Sequence, residues 1–163
     1  MNVHFRLLDV LFSSHNGLFN WTPLLLFAFI GLFSFYRNNR LLASAFLLIF
    51  LLNLGIVAGW TPWYGGQSYS HRMFINTLPG LVFGLAYLVQ YLSRKISIKY
   101  VIAVLLVFVL WNFGTMVQYG SRMIPAEGPS SFMERAHNNF VSVPGKALNI
   151  FGRFLFSREE FLK

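Results

Sequence analysis

Four stretches of this chain, 18–36, 41–60, 73–92 and 100–119, are apolar over the length of a bilayer crossing and carry no Asp, Glu, Lys or Arg. About 20 apolar residues at ~1.5 Å rise each cross the hydrocarbon core as a helix. A charge in the middle of such a segment is costly, and none is there. The blocks are solid rather than alternating over short segments, which selects helices over a membrane barrel. Composition agrees. Of 163 residues, 56% are hydrophobic and 11% charged, against roughly 45–50% and about 25% in soluble domains. So little polar material cannot cover a water-exposed surface, which excludes a soluble globular enzyme. With 18% aromatic residues, the chain buries too much area to stay disordered. The expected fold is all-α: an integral membrane bundle of four transmembrane helices, with a short N-terminal interfacial helix and a C-terminal amphipathic helical tail. Residues 1–17 form the interfacial or re-entrant segment, 18–119 the four-helix region and 120–163 an external tail.

The ends of the chain follow helical spacing. Val3, Leu7, Val10 and Leu11 repeat on one face, with Arg6, Asp9 and Ser13 elsewhere. That pattern suits a short interfacial helix and not a cleavable signal, which needs a basic start and a clean apolar core. After the fourth span, Pro125, Gly128 and Pro129 punctuate a linker. Ser131-Phe132-Met133-Glu134 then reads as a capping box. Phe132, Met133, Ala136 and Phe140 fall on one face, and Pro144-Gly145 is expected to break the helix. Ala147, Leu148, Phe151, Phe154 and Leu155 resume an apolar face against Lys146, Asn149 and Arg153. Such a helix lies on a membrane surface or on the bundle.

The connections set an orientation. Arg37, Arg40, Arg94, Lys95 and Lys99 flank the turns between the first and second and the third and fourth spans. Arg6, Arg72, Arg122 and Arg135 flank the other side. The excess of cations in short loops places the first set in the cytoplasm and both termini outside. The net charge of +8 is accounted for by these loop cations and by anionic lipid head groups, not by nucleic acid. With no cysteine in the chain, thiolate chemistry and disulfides are excluded. No metal-ligand cluster or phosphate loop occurs, and no cofactor is expected.

Two polar-aromatic clusters fall on the predicted outer side. The first runs from Ser13 to Pro23 and includes His15, Asn16 and Trp21. The second runs from Trp60 to Arg72 and includes Trp63, Tyr64, Gln67, Tyr69 and His71. Aromatic belts mark any membrane interface, and Gly65-Gly66 suits any turn. The second cluster is denser than a belt requires. Aromatic faces suit sugar rings, and the fork of Arg72 suits a phosphate. A loop of this kind binds a lipid phosphate head group or a glycan.

The run Leu11-Phe12-Ser13-Ser14-His15-Asn16-Gly17-Leu18-Phe19-Asn20-Trp21-Thr22-Pro23, followed by an apolar span, resembles a segment in the later half of bacterial GT-C-type membrane glycosyltransferases. These are family 39-like enzymes dependent on polyprenyl-phosphate sugars. Trp60-x-x-Trp63-Tyr64-Gly65-Gly66-x-Ser68-Tyr69-x-x-Arg72, then a span with an early Pro79, resembles the next element of the same proteins. The resemblance covers about residues 5–92. It implies a many-helix bundle with an outward-facing site that transfers a sugar from a polyprenyl-phosphate donor. It further implies a C-terminal part of such an enzyme in a bacterial inner membrane, because the family's acidic catalytic residue lies in a first external loop that has no counterpart here. A second membrane chain would then complete the enzyme. On this reading Arg72 contacts phosphate, Trp60, Trp63, Tyr64 and Tyr69 line the sugar or lipid path, and His15, Asn16, Trp21, Gln67 and His71 are further contacts.

No residue stands out as catalytic. Inverting sugar transfer needs a base and a stabilised leaving phosphate. Asp9 suits a local pair with Arg6, Glu134 suits the cap, and Glu159 and Glu160 suit a solvated face. Asn53 and Asn112 suit interhelical hydrogen bonds. The alternative is a non-catalytic four-helix membrane protein acting as a scaffold, subunit or lipid-binding accessory. A transporter is less apt, because the spans hold no ionisable residue in their middles and no paired broken helices.

Overall fold

The computed structural model describes residues 6–156, and for 151 and 153–155 the backbone alone. All regular structure among the described residues is helical. In chain order these are α1 (Leu7–Phe12), α2 (Leu18–Trp21), α3 (Pro23–Phe35), α4 (Arg40–Gly59), a 3-10 turn (Arg72–Thr77), α5 (Leu78–Ser93), α6 (Ile98–Gly120) and α7 (Phe132–Phe156). Among the described residues, three helical segments are long and apolar enough to cross a membrane: Arg40–Gly59, Arg72–Ser93 and Ile98–Gly120. Val3, Glu159 and Glu160 lie outside the described residues.

The first expected span, 18–36, is not one helix. It divides at Thr22 (φ −126°, ψ 75°) into α2 and α3. Pro23 explains the division. Its ring drives the preceding residue out of the helical region, and it then occupies the first turn of the new helix, where no N–H is needed. The 13 residues of α3 rise only about 20 Å, against ~30 Å of hydrocarbon. The division turns Trp21 inward, where it is buried to 1% exposure.

Helices α3 and α5 pack along their lengths through Gly31 and Gly84. A Cβ on Gly84 would overlap the Ala28 carbonyl, and one on Gly31 would overlap Gly84's own carbonyl. Small residues at such a seam let two backbones approach, which is how helices gain contact in lipid. The main core lies above this seam. Phe29 stacks near Phe50 (4.8 Å between ring centres), and Phe50 near Phe74 (5.5 Å). Asn53 Nδ2 donates to the Met73 carbonyl (2.9 Å), tying α4 to the 3-10 turn as an interhelical bond.

Helix α7 runs through Pro144 without a break. Proline there frees one carbonyl four residues back, at Phe140. Phe140 and Pro144 are both exposed, and the helix continues through them. The orientation of α7 also differs from a simple amphipathic reading. The face docked on α6 is mixed: Arg135 and Val143 are buried with Asn139 beside them and Phe132 stacks on Trp111, while Met133 and Phe140 are exposed.

The loops sort by end. Arg37, Arg40, Arg94, Lys95 and Lys99 flank the two turns at one end. Segments 13–17, 60–71 and 121–131 meet at the other, as the hydrogen bonds below establish.

Candidate functional site

The two polar-aromatic segments are in contact. Asn16 is the clasp. It is buried, its backbone takes φ 61°, and its side-chain amide donates to the carbonyls of Tyr64 (3.1 Å) and Ser68 (3.2 Å). Asparagine is among the few residues that enter the left-handed region readily. Gly65 and Gly66, at φ 80° and 68°, turn the second segment back toward it. The His15 ring stacks on Tyr64 with centres 4.1 Å apart and meets Trp63 edge-on at 6.0 Å. Its Nε2 accepts from the Gly128 N–H (3.1 Å), and the Ser130 N–H donates to the Ser14 carbonyl (3.2 Å). The linker to the tail is thereby bound into the same end of the bundle. Burial lowers the His15 pKa, against a weaker upward pull from Glu127, which suits an imidazole that accepts a hydrogen bond.

Beside this clasp lies a groove of ≈ 330 Å³ whose lining includes Thr22, Tyr69, Ser70, His71, Arg72 and Asn112. The hydroxyls of Thr22 and Ser70 are 3.2 Å apart. Arg72 is exposed. His71 is buried, and neither imidazole nitrogen has a hydrogen-bond partner. Burial holds its pKa down at about 4, against a weaker upward pull from the Trp63 backbone. Asn112 Oδ1 is likewise buried without a partner, so this oxygen does not make the interhelical bond expected of Asn112. The wall of the groove thus offers a cation and two hydroxyls, with apolar side chains such as Leu18 and Phe74 completing it. No carboxylate is among the lining residues.

The remaining candidates are distributed differently. Tyr69 is anchored rather than free: its hydroxyl bonds Thr115 Oγ1 (2.7 Å) and donates to the Asn112 carbonyl (3.2 Å), and burial raises its pKa. Trp21 is a core residue that donates to the Ser14 carbonyl (3.1 Å) and meets Tyr69 edge-on. Trp63 and Tyr64 are half-buried in the clasp, with the Arg6 guanidinium 5.9 Å from the Trp63 ring centre. Arg6 therefore faces an aromatic ring, and Asp9 is exposed on α1. Trp60 and Gln67 are exposed, outside the groove lining.

Arg135, one of the outer cations by its sequence position, belongs to the interior instead. It is wholly buried. Its guanidinium lies 4.7 Å from the Trp21 ring centre and 6.0 Å from that of Phe132, and Nη2 donates to Asn20 Oδ1. Its Nε and Nη1 have no partner. Desolvation lowers its pKa to about 10, so it remains a cation at neutral pH. The sequence carried one signal. Phe132, Arg135 and Asn139 follow helical spacing, so a face including an arginine could turn inward. No protein-family model, curated protein or solved structure matches the chain.

Proposed function

We propose that this chain is a GT-C-type membrane glycosyltransferase region that holds the phosphate-sugar end of a polyprenyl-phosphate sugar at the outer face of a membrane. The observation that carries this reading is the meeting of segments 13–22 and 60–72 at one end of the bundle, with Arg72 and His71 in one groove. Arg72 pairs with the phosphate, where a charge-assisted fork is favoured. The hydroxyls of Thr22 and Ser70 meet sugar hydroxyls. The apolar wall beside them takes the first isoprenyl units. The five cations at the opposite end support a cytoplasmic position for that end, with the N-terminal segment and tail outside. A second membrane chain supplies the carboxylate that the groove lacks, and no residue here is assigned as catalytic.

The test is binding of an undecaprenyl-phosphate sugar to the purified full chain, measured by native mass spectrometry. Losing a charge-assisted pair costs about 1.5–3 kcal/mol, so Arg72→Ala weakens binding roughly 10- to 150-fold. Unchanged binding in Arg72→Ala refutes the assignment. A second reading, a non-catalytic accessory subunit, is favoured by the absence of a carboxylate from the groove lining. Stable co-purification with a membrane chain bearing an acidic external loop supports the split enzyme. A partner-free protein with no glycolipid affinity supports neither and leaves a scaffold.

A further inference from the structure

A wholly buried cation requires a compensating partner, and Arg135 has only part of one. Leaving one partner of a buried charge pair missing is strongly destabilising. The ring faces of Trp21 and Phe132 and the Asn20 amide oxygen offset some of this. The titratable groups whose charge acts on the guanidinium are the Tyr69 phenol and the Glu134 carboxylate. The phenol stays neutral because burial raises its pKa. Glu134 is exposed and makes no hydrogen bond with the guanidinium. Two guanidinium nitrogens remain without an acceptor.

The wall around Arg135 is shared with a groove. Asn20 and Phe132 touch the guanidinium and also line a groove of ≈ 390 Å³ between α2, α3 and α6, with Phe12, Phe19, Phe108 and Trp111. Asn20 is the one side chain of the lining with an amide, and Trp111 Nε1 is buried without a partner. Trp111 stacks on Phe132 with centres 4.8 Å apart. The guanidinium therefore lies behind the Asn20 and Phe132 side of an otherwise apolar groove that Trp111 also lines. This groove shares no lining residue with the one at Arg72.

We propose that Arg135 and Trp111 hold the phosphate of an anionic membrane lipid whose chain occupies the apolar groove between α2, α3 and α6. The charge demands an anion, the fork suits phosphate, and the apolar lining suits a hydrocarbon chain and not water. Binding also fastens the tail. Gln118 Nε2 donates to the Arg135 carbonyl (2.9 Å) and to Asn139 Oδ1 (2.6 Å), so whatever fixes Arg135 fixes α7 on α6. This site is independent of the glycolipid reading.

The test uses the full chain in decyl maltoside, with oleoyl-lysophosphatidic acid, monooleoylglycerol and inorganic phosphate as probes. Binding is read by native mass spectrometry and by the unfolding midpoint. The lysophosphatidic acid is expected to bind and to raise the midpoint, the neutral lipid to bind at least tenfold more weakly, and inorganic phosphate to compete only weakly. Arg135→Met loses at least tenfold in affinity and Trp111→Phe about threefold. Where Arg135→Met does not fold, Trp111→Phe and Arg135→Lys carry the test, because both keep the cation. Equal binding in wild type, Trp111→Phe and Arg135→Lys overturns the proposal. So does equal affinity for the neutral lipid, which leaves an apolar groove only, or equal competition by inorganic phosphate, which leaves a free-anion site.

Discussion

Asn16 joins the two segments, and its removal can be worked through quantitatively. Asn16→Ala deletes the hydrogen bonds to the Tyr64 and Ser68 carbonyls. Each is worth about 1 kcal/mol net. Alanine must also hold the positive φ of 61°, which costs a non-glycine residue without a local hydrogen bond about 1 kcal/mol. The sum is about 3 kcal/mol. Asn16→Gly loses the same bonds but is free of the backbone penalty, so it costs about 2 kcal/mol. The signature is therefore an order: wild type above Gly, Gly above Ala. Equilibrium unfolding by titration with SDS in mixed micelles, followed by tryptophan fluorescence, reads it. An Asn16→Ala protein as stable as the wild type refutes the clasp, and equal loss in Gly and Ala refutes the backbone part.

Other outcomes follow from the same geometry. Gly84→Ala puts a methyl against the Ala28 carbonyl and should cost about 1–3 kcal/mol by overpacking. Because Gly31 meets the same backbone, the Gly31→Ala, Gly84→Ala double variant should depart from additivity in the same titration. His71, depressed to about 4 from an ordinary 6.5, is neutral in the folded protein and takes up a proton more readily when unfolded. Its contribution is present above about pH 6.5 and lost as pH falls toward 4, on the order of 3 kcal/mol in total. In His71→Phe most of that pH dependence should vanish, with a smaller residue left to His15; an unchanged profile contradicts the burial of His71.

The sequence made the membrane segments legible because composition alone decides them: the runs at 41–60, 73–92 and 100–119 each fall on a long apolar helix. It was less informative where one residue redirects the backbone. Pro23 was visible, but its position inside an apolar run concealed that Thr22 ends one helix and α3 starts another. Pro144 points the opposite way, since the helix runs on through it on an exposed face. Contact between segments 13–23 and 60–72 could be suspected from their shared side of the membrane, but the clasp depends on a long-range pairing of Asn16 with two carbonyls. Backbone acceptors leave no residue-type signature. Arg135 was hardest to read. An arginine near a predicted capping box looks solvated, and its burial under Trp21 and Asn20 depends on how α7 folds back over α6.

The most direct measurement of the central claim is cross-linking of Thr22→Cys with Ser70→Cys in native membranes. The chain has no cysteine of its own, and the two hydroxyls stand 3.2 Å apart. Mild oxidation should abolish maleimide labelling of the pair, and a reductant should restore it, while a Thr22→Cys, Ser97→Cys control at opposite ends of the bundle stays labelled throughout. If the Thr22–Ser70 pair remains as reactive as that control, the two segments do not share a site.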